Sequence, residues 1–594
     1  MEFEFLSAEK IKPKGWYLRQ LQTQANGLNG NLDKVWKDVY DSKWLGGNSE
    51  GWERLPYFLD GYIPLAYLLD DEDRKARAKK YIDALLSCQA ENGCFYPKGD
   101  EGKAGDIWSQ FLILKVLTVY ADCSKDDRIE ESVYRGLRFL RNYTRWNPPF
   151  EWAASRWYEC IIPMLWIMKR RKNEDWLIRF ATRLKTYGVD FETAIELWED
   201  PSVEWSHEMH VVNIGMALKS DALYSEITGK PRKGLAEKML DKLTEKHGTA
   251  YDHFTGDECL SGTSPSQGSE LCGVVDTMYS YEWLTALTGE AKWGDRLETL
   301  AFNALPAAIS TDMWTHQYDQ QVNQIACVRF EKQPFTTNNN DANLFGLEPH
   351  FGCCTSNFGQ GFPKFILSAY MKKAEELIVV SPIPAEIQFE TDNKVVVNSE
   401  YPFRNAFGIY TQKDTKIRLR LPKWATVECT ENYEIQDGWI FFVAQAGKEV
   451  RIAFKAEPRL EKRPDNRYCL KYGALLFALP VKSEMTMYEY VKDGVERKFP
   501  YCDYEITPVG EWKYAFTNAK FEVKEQSYDL PFDREKPPVV IQTRLVPVEW
   551  EYAQDMPLVA SPKAGTKKIG EEKTLCLQPY GATYLRMTEM ALAK

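Results

Sequence analysis

Long apolar runs and stretches of positive charge are both missing from this sequence of 594 residues. No apolar run approaches the roughly 20 residues that a membrane-spanning helix needs. Lys and Arg number 75 against 86 Asp and Glu, which gives a net charge of −11. No run of Lys or Arg is long enough to offset that charge, and an acidic surface repels a phosphate backbone. We therefore expect neither a membrane nor a nucleic-acid partner.

A secretory signal is also missing, because residues 1–5 are acidic and lack an apolar core. This predicts a cytoplasmic protein. The hydrophobic fraction of 44% and the charged fraction of 27% are typical of globular chains and exclude a disordered one.

Histidine is scarce, with 6 residues, whereas aromatic residues make up 13% of the chain, including 19 Trp and 32 Tyr. Tryptophan and tyrosine offer flat apolar faces with a polar group, which suit the faces of sugar rings. A large aromatic core explains the same composition. The 13 cysteines are an odd number, and in a reducing compartment most of them are small buried hydrophobes.

Two hydrophobic periodicities divide the chain. Up to about residue 370, apolar residues recur three and four apart in about a dozen segments, which short breaks such as 70–73 separate. This pattern predicts stacked helical hairpins, either closed into an (α/α)6 barrel or open as a solenoid. From about residue 376 the apolar residues alternate with polar ones, which predicts β-sandwiches. We predict a barrel over 1–372 and two β-sandwiches over 373–457 and 458–594.

The residues that could take part in catalysis or bind a metal lie in loops rich in Gly and Ser. Glu270 and Cys272 are two positions apart, and Cys353 and Cys354 are adjacent. A disulfide between neighbouring cysteines is strained, but a soft cation can hold both thiolates. Three sulfurs and one carboxylate form a plausible tetrahedral set for Zn²⁺. On spacing alone, they can equally be four unrelated residues, two of them buried and one capping a helix.

Four stretches together resemble a known family. They are Trp-Glu-Arg-Leu-Pro-Tyr at 52–57, Gly-Asp-Glu-Cys-Leu-Ser-Gly at 256–262, Gly-Ser-Glu-Leu-Cys at 268–272 and Gly-Cys-Cys at 352–354. This combination resembles the β-L-arabinofuranosidases of glycoside hydrolase family 127. The resemblance implies an (α/α)6 barrel followed by β-sandwiches, and a Zn²⁺ ion held by the equivalents of Glu270, Cys272, Cys353 and Cys354.

The resemblance also implies a retaining exo-glycosidase that acts on a carbohydrate substrate. Cys353 matches the family's nucleophile, and Glu258 matches its general acid and base. Most retaining glycosidases use two carboxylates about 5–5.5 Å apart, so here a thiolate replaces one of them.

Five further residues are candidates for binding the sugar. His210 matches a pocket histidine of the family, while His316 and Tyr318 lie in a loop, His350 precedes the double cysteine, and Trp108 offers a stacking face. Ordinary packing accounts for each of them equally well. Trp108 and Glu159 stand where the resemblance implies pocket histidines, so the identity of the sugar stays open.

Two other functions stay open. One is a sugar epimerase or lyase on a helical barrel, which uses proton chemistry and needs no metal. The other is a non-catalytic carbohydrate-binding protein with structural zinc. A homodimer also stays open.

Overall fold

The computed structural model describes residues 1–593, which are helical up to Ala369 and rich in strands afterwards. The helix Arg128–Tyr143 shows why the first part is helical. Its residues Ile129, Val133, Leu137 and Leu140 lie three or four positions apart and are all buried. They form one apolar stripe that packs against the rest of the protein.

Six inner segments stand side by side in a ring, in which each contacts the next and the last contacts the first. They are Arg54–Leu68, Trp108–Ser124, Trp157–Cys160 with Ile161–Met168, Val211–Ala217 with Ser220–Thr228, Leu271–Thr288, and Gly361–Ala369. Six outer segments alternate with them along the chain. These are Gly15–Asn26, Glu72–Ser87, Arg128–Tyr143, Trp176–Tyr187, Leu235–His247, and Lys292–Thr299 with Leu300–Ala304. The ring confirms the predicted (α/α)6 barrel and excludes the open solenoid.

The strand-rich part contains two six-stranded sheets and one nine-stranded sheet. The first sheet contains Glu4–Phe5, Tyr370–Lys373, Glu376–Val379, Thr415–Arg420, Trp439–Ala444 and Glu434–Gln436. The second contains Thr426–Cys429, Glu449–Lys455, Ala406–Thr411, Asn393–Ser399, Ala385–Glu390 and Ile11–Pro13. The third contains Arg459–Lys462, Arg467–Tyr472, Leu475–Pro480, Lys573–Pro579, Val539–Pro547, Tyr514–Phe516, Glu522–Glu525, Arg586–Met587 and Met590–Ala591.

Two strands from the start of the chain complete the first two sheets. Glu4–Phe5 pairs with Tyr370–Lys373, and Ile11–Pro13 pairs with Ala385–Glu390. The barrel and these sheets are therefore joined at both ends of the helical segment. The predicted division at 372 and 457 stays a prediction. Among residues 1–593, no helix has both the length and the apolar character to cross a bilayer.

The barrel interior contains a network of buried ions. The Asp60 carboxylate lies 2.6 Å from Lys364 Nζ and 3.0 Å from Lys115 Nζ. Glu159 lies 2.5 Å from Lys219 Nζ and 3.8 Å from Lys115 Nζ. Burial alone would raise the pKa of Asp60, but the charges of Lys115 and Lys364 hold it below its usual value. Glu159 thus belongs to this network.

The substitution Asp60→Asn should destabilise the barrel, because it leaves two buried ammonium groups without their shared counterion. We expect a loss of about 3–5 kcal/mol in unfolding free energy. Asp83→Asn is the control, since Asp83 pairs with Lys79 and Arg128 on the exposed surface and should cost less than about 1 kcal/mol. Thermal and urea denaturation measure both. Equal losses in the two variants would contradict the structural role of the network.

Candidate active site

The candidate site lies where the inner helices begin. A two-stranded pairing of Gly268–Glu270 with Asp319–Gln321 places Glu270 opposite Asp319. The next residues start the helix Leu271–Thr288, whose second residue is Cys272. The short helix Cys353–Asn357 packs against the helices Leu271–Thr288 and Arg54–Leu68. Segments far apart in the sequence therefore meet at one end of the barrel.

The four predicted metal ligands form one cluster. The donor atoms of Glu270, Cys272, Cys353 and Cys354 all lie within 4.8 Å of one another. Glu270 Oε1 is 3.8 Å from Cys353 Sγ and 3.8 Å from Cys354 Sγ. A tetrahedral zinc site with metal–ligand distances of about 2.0–2.3 Å has ligand atoms roughly 3.3–3.8 Å apart. The spacing of the cluster is close to that of such a site.

The protonation states of the cluster show that it lacks positive charge. Burial raises the pKa of Glu270, Cys272 and Cys354 well above their usual values, and the negative charge of neighbouring ligands adds to this. Burial also opposes ionisation of Cys353, but hydrogen bonds with Cys272 and Cys354 and the charge of Arg54 hold its pKa well below the usual value. Within the cluster, ionisation of Cys353 is therefore favoured over that of the other three donors.

One further observation fits a metal at this point. Within residues 1–593, the buried atom Glu270 Oε2 has no hydrogen-bond partner. A buried carboxylate oxygen without a partner is costly, and a cation is one way to satisfy it. The donor set, its spacing and this oxygen together fit a soft divalent ion.

A hydrogen bond fixes how the two cysteine-bearing helices lie. Asn357, four residues after Cys353, donates from Nδ2 to Asp276 Oδ2 at 2.8 Å. Asp276 is in turn one helical turn beyond Cys272. The backbone N–H of Cys272 also donates to Cys354 Sγ at 3.3 Å. These contacts act as an outer shell that orients the ligands.

Tyr318 connects the two predicted catalytic residues. Its hydroxyl donates to Glu258 Oε1 at 2.6 Å and lies 3.2 Å from Cys353 Sγ. Burial, together with the nearby charge of Cys353, raises the pKa of Tyr318 well above its usual value, so the hydroxyl keeps its proton. Glu258, Tyr318 and Cys353 therefore share one small space.

The backbone of Glu258 is strained. Its φ angle is +130°, a region that residues with side chains rarely adopt. The flanking segment is held from both sides, because Val211 N donates to Glu258 O at 2.8 Å and Cys259 N donates to Thr337 Oγ1 at 3.0 Å. Strain of this kind costs about 1–3 kcal/mol and is concentrated at functional sites.

His210 and His350 lie beside these residues. His210 Nε2 is 3.5 Å from Glu258 Oε2 and 3.8 Å from Glu270 Oε2. The His350 ring stands edge-on to the Tyr318 ring, with 5.5 Å between their centroids. The structure therefore brings two of the three predicted sugar-binding histidines beside Glu258 and Tyr318.

His316 and Trp108 lie one layer further back, and both are fully buried. His316 hydrogen-bonds through Nδ1 to Gln317 O at 2.9 Å and through Nε2 to Thr355 Oγ1 at 3.0 Å. Burial lowers the pKa of His316 to about 4. Trp108 donates its indole N–H to Glu53 at 2.8 Å. In this structure both support the wall of the site through these contacts.

Several residues at the site were not among the predicted ones. The Arg156 guanidinium lies 4.6 Å from the Trp108 ring centroid and 4.5 Å from that of Trp152. Arg54 pairs with Glu53 at 2.7 Å. The sequence offered one signal, the Trp-Glu-Arg stretch at 52–54, but nothing in it linked residue 54 to residue 353.

Trp205 is the most exposed of the residues that sequence reasoning missed. It donates its indole N–H to Glu258 Oε2 at 2.9 Å. The Trp205 ring packs against that of Trp152, with 5.5 Å between centroids. Its position just before His207 and His210 was the only sequence signal.

Comparison with known proteins identifies solved structures that have a similar fold. No family model matches the chain, and a search of curated proteins finds no match. Among solved structures, a GH127 β-arabinofuranosidase has a TM-score of 0.68 at 14% identity and covers 100% of this chain and 98% of its own. A GH127 β-L-arabinofuranosidase from Geobacillus stearothermophilus T6 has a TM-score of 0.70 at 14% identity, with coverages of 98% and 100%. A third structure, described as a glycoside hydrolase, has a TM-score of 0.67 at 12% identity, with coverages of 100% and 98%.

These likenesses extend over essentially the whole chain. At such low identity they show that the protein has the same fold as those structures. They confirm the architecture that the resemblance implies, a helical barrel followed by β-sheets.

The strain at Glu258 leads to a prediction about stability. Glu258→Gly should be more stable than Glu258→Ala by about 1–2 kcal/mol, because glycine adopts a positive φ without a steric cost. The exposed residue Glu245, in the helix Leu235–His247, is the control, and there alanine should be the more stable by about 1 kcal/mol. Denaturation of all four variants tests this. If Glu258→Ala were more stable than Glu258→Gly, the backbone at residue 258 would not be strained.

Proposed function

We propose that this protein is a retaining exo-glycoside hydrolase similar to the β-L-arabinofuranosidases, with Cys353 as nucleophile and Glu258 as general acid and base. The observation that carries the proposal is the position of the Tyr318 hydroxyl between these two side chains. The fold, which matches solved GH127 enzymes, and the cluster of three sulfurs and one carboxylate support it.

The separation of the two groups supports retention of configuration. Since Tyr318 Oη is 2.6 Å from Glu258 Oε1 and 3.2 Å from Cys353 Sγ, the last two atoms are at most 5.8 Å apart (2.6 Å plus 3.2 Å). Retaining enzymes hold their two groups about 5–5.5 Å apart, whereas inverting enzymes need about 6.5–9.5 Å to admit a water molecule. Little room for such a water exists between Cys353 and Glu258.

The reaction then follows from these positions. The Cys353 thiolate attacks the anomeric carbon while Glu258 donates its proton to the departing oxygen, so a C–S bond forms as the C–O bond breaks. Glu258, now a carboxylate, takes a proton from water, whose oxygen attacks the same carbon and releases Cys353. Two displacements on one carbon return the original configuration.

Four residues would hold the metal, and we propose that the metal is Zn²⁺. They are Glu270, Cys272, Cys353 and Cys354, the donors of the cluster. When bound, the ion supplies the positive charge that keeps thiolates deprotonated at neutral pH. Three thiolates and a carboxylate exceed the charge of a divalent ion by two, so Cys353 keeps electron density for attack.

The nucleophile is tested first. A screen of nitrophenyl furanosides and pyranosides should find one that the protein hydrolyses, and NMR should show a first product with the same anomeric configuration as that substrate. Cys353→Ser should reduce kcat by roughly 10³-fold or more while leaving the fold intact, because a serine hydroxyl is not ionised at neutral pH. Since the same substitution removes a metal ligand, the zinc content of this variant is measured alongside. Cys576→Ser is the control, since Cys576 is an exposed cysteine.

Each alternative has its own outcome in this experiment. Near-normal activity of Cys353→Ser would contradict the assignment of Cys353 as the nucleophile. A product isomerised or unsaturated rather than hydrolysed would indicate an epimerase or a lyase. Failure of a cysteine-directed sugar mimic to label Cys353 would favour a carbohydrate-binding protein.

Metal content is the second test. The purified protein should contain about one zinc ion per chain, and Cys272→Ser should reduce this to roughly a tenth or less, because a tetrahedral site loses one of four ligands. Cys469→Ser is the control, since Cys469 is a fully buried cysteine in the nine-stranded sheet. Elemental analysis measures all three proteins. Equal zinc content in both variants would contradict the assigned ligands.

A further inference from the structure

We infer that Trp205 is the platform on which the leaving group of the substrate stacks, that this leaving group is itself a sugar, and that the same side chain orients Glu258 toward it. This inference rests on the proposed function. It concerns a residue that neither the sequence pattern nor the resemblance assigned.

The two oxygens of Glu258 have different neighbours, and this difference indicates two sides of the site. Oε1 accepts from Tyr318, which lies against Cys353. Oε2 accepts the indole N–H of Trp205 at 2.9 Å and lies 3.5 Å from His210 Nε2. Trp205 and Tyr318 therefore contact different oxygens of the Glu258 carboxylate.

We place the leaving group beside Oε2, the oxygen of Glu258 that does not accept from Tyr318. In a direct displacement, the departing oxygen lies opposite the attacking sulfur, and the acid that protonates it must be within hydrogen-bond reach. A group that leaves from the face opposite Cys353 thus passes Glu258 on its way to solvent. Trp205 is 40% exposed there, whereas Trp152 behind it is partly buried against the core.

The surroundings of Trp205 hold its ring in place. Trp152 and His207 both meet it edge-on, with centroid distances of 5.5 Å and 4.8 Å. Trp152 is itself covered by the Arg156 guanidinium at 4.5 Å. These contacts and the hydrogen bond to Glu258 support the ring in its position beside that carboxylate.

The chemistry of the ring indicates the class of leaving group. A tryptophan face is flat and apolar, and a sugar ring presents C–H groups on its faces, so the two pack well. A small alcohol has no such face and gains nothing from the platform. The inferred substrate is therefore a glycoside in which the released group is another sugar.

The glycosylated Cys353 allows a direct test, because it can be resolved by water, by methanol or by an acceptor sugar. The acceptor must occupy the place of the leaving group, and its hydroxyl oxygen attacks the anomeric carbon while Glu258 takes the proton. The donor is p-nitrophenyl β-L-arabinofuranoside, or the best aryl glycoside of the screen. The acceptors are methyl α-L-arabinofuranoside and methanol.

Trp205→Ala should reduce transfer to the sugar acceptor by about 10-fold relative to hydrolysis, because the stacking face is lost, with transfer to methanol changed by less than about 2-fold. Trp205→Phe keeps a stacking face and loses the N–H donor. It should retain transfer to the sugar within about 3-fold but lose about 10-fold in kcat, with little change in KM, because a charged hydrogen bond that positions Glu258 is gone.

Trp146→Phe is the matched control, since Trp146 is 86% exposed and has no part in the site; it should behave as wild type. Equal losses with both acceptors in Trp205→Ala would indicate a structural role and overturn the platform. Unchanged transfer would overturn it as well. A wild-type protein that cleaves no aryl glycoside would contradict the proposed function, and the inference with it, whereas a wild-type protein that is active and insensitive to Trp205 would contradict the inference alone.

Discussion

Four acidic donors packed within 4.8 Å of one another are the constraint on which the rest of the site depends. Like charges this close cannot all ionise in a buried environment. Arg54 contributes positive charge near Cys353, but it pairs with Glu53 at 2.7 Å, which offsets much of that charge. The chain therefore leaves the cluster with a deficit of positive charge that protons or a metal ion must fill.

The barrel itself supplies a smaller share of that charge. Cys272 is the second residue of one inner helix, Cys353 is the first residue of a short helix, and Arg54 begins another inner helix. Helix N-termini carry partial positive charge and orient free N–H groups toward an anion, but each is worth only about 0.3–1 kcal/mol near the surface and about 2 kcal/mol when partly buried. The total stabilisation from these helix N-termini is enough to favour one thiolate, but it is too small to hold four negative groups together.

Much of the fold and the cluster could be predicted from the sequence because they depend on local patterns. Spacings of three and four predicted the helices, and alternation predicted the sheets. The cluster was predicted from the resemblance of four stretches to a known family, since spacing alone left four unrelated residues open. The strands at 4–5 and 11–13 were not predicted, because two or three residues carry no periodicity and their partners lie more than 350 positions away. The place of Trp205 at the site was not predicted for a related reason. Its role depends on which oxygen of Glu258 it contacts, and no spacing in the sequence encodes that.

The strained backbone of Glu258 and the hydrogen bonds that hold its segment in place have a common origin. In the proposed mechanism, Glu258 must face Cys353, whose short helix is held by two inner helices, so the position of Glu258 cannot adjust to relieve its backbone. The segment is instead clamped by Val211 on one side and Thr337 on the other. A flexible loop would relax the φ angle and move the carboxylate away from Tyr318. The hydrogen bond between Glu258 and Tyr318 is 2.6 Å long and partly buried. A hydrogen bond to a charged group is worth about 1.5–3 kcal/mol, which is comparable with the roughly 1–3 kcal/mol that the strained backbone stores. The barrel therefore maintains the geometry of the site. It holds Glu258 in an unfavourable backbone conformation, and in that conformation the Tyr318 hydroxyl lies between the Glu258 carboxylate and Cys353 Sγ.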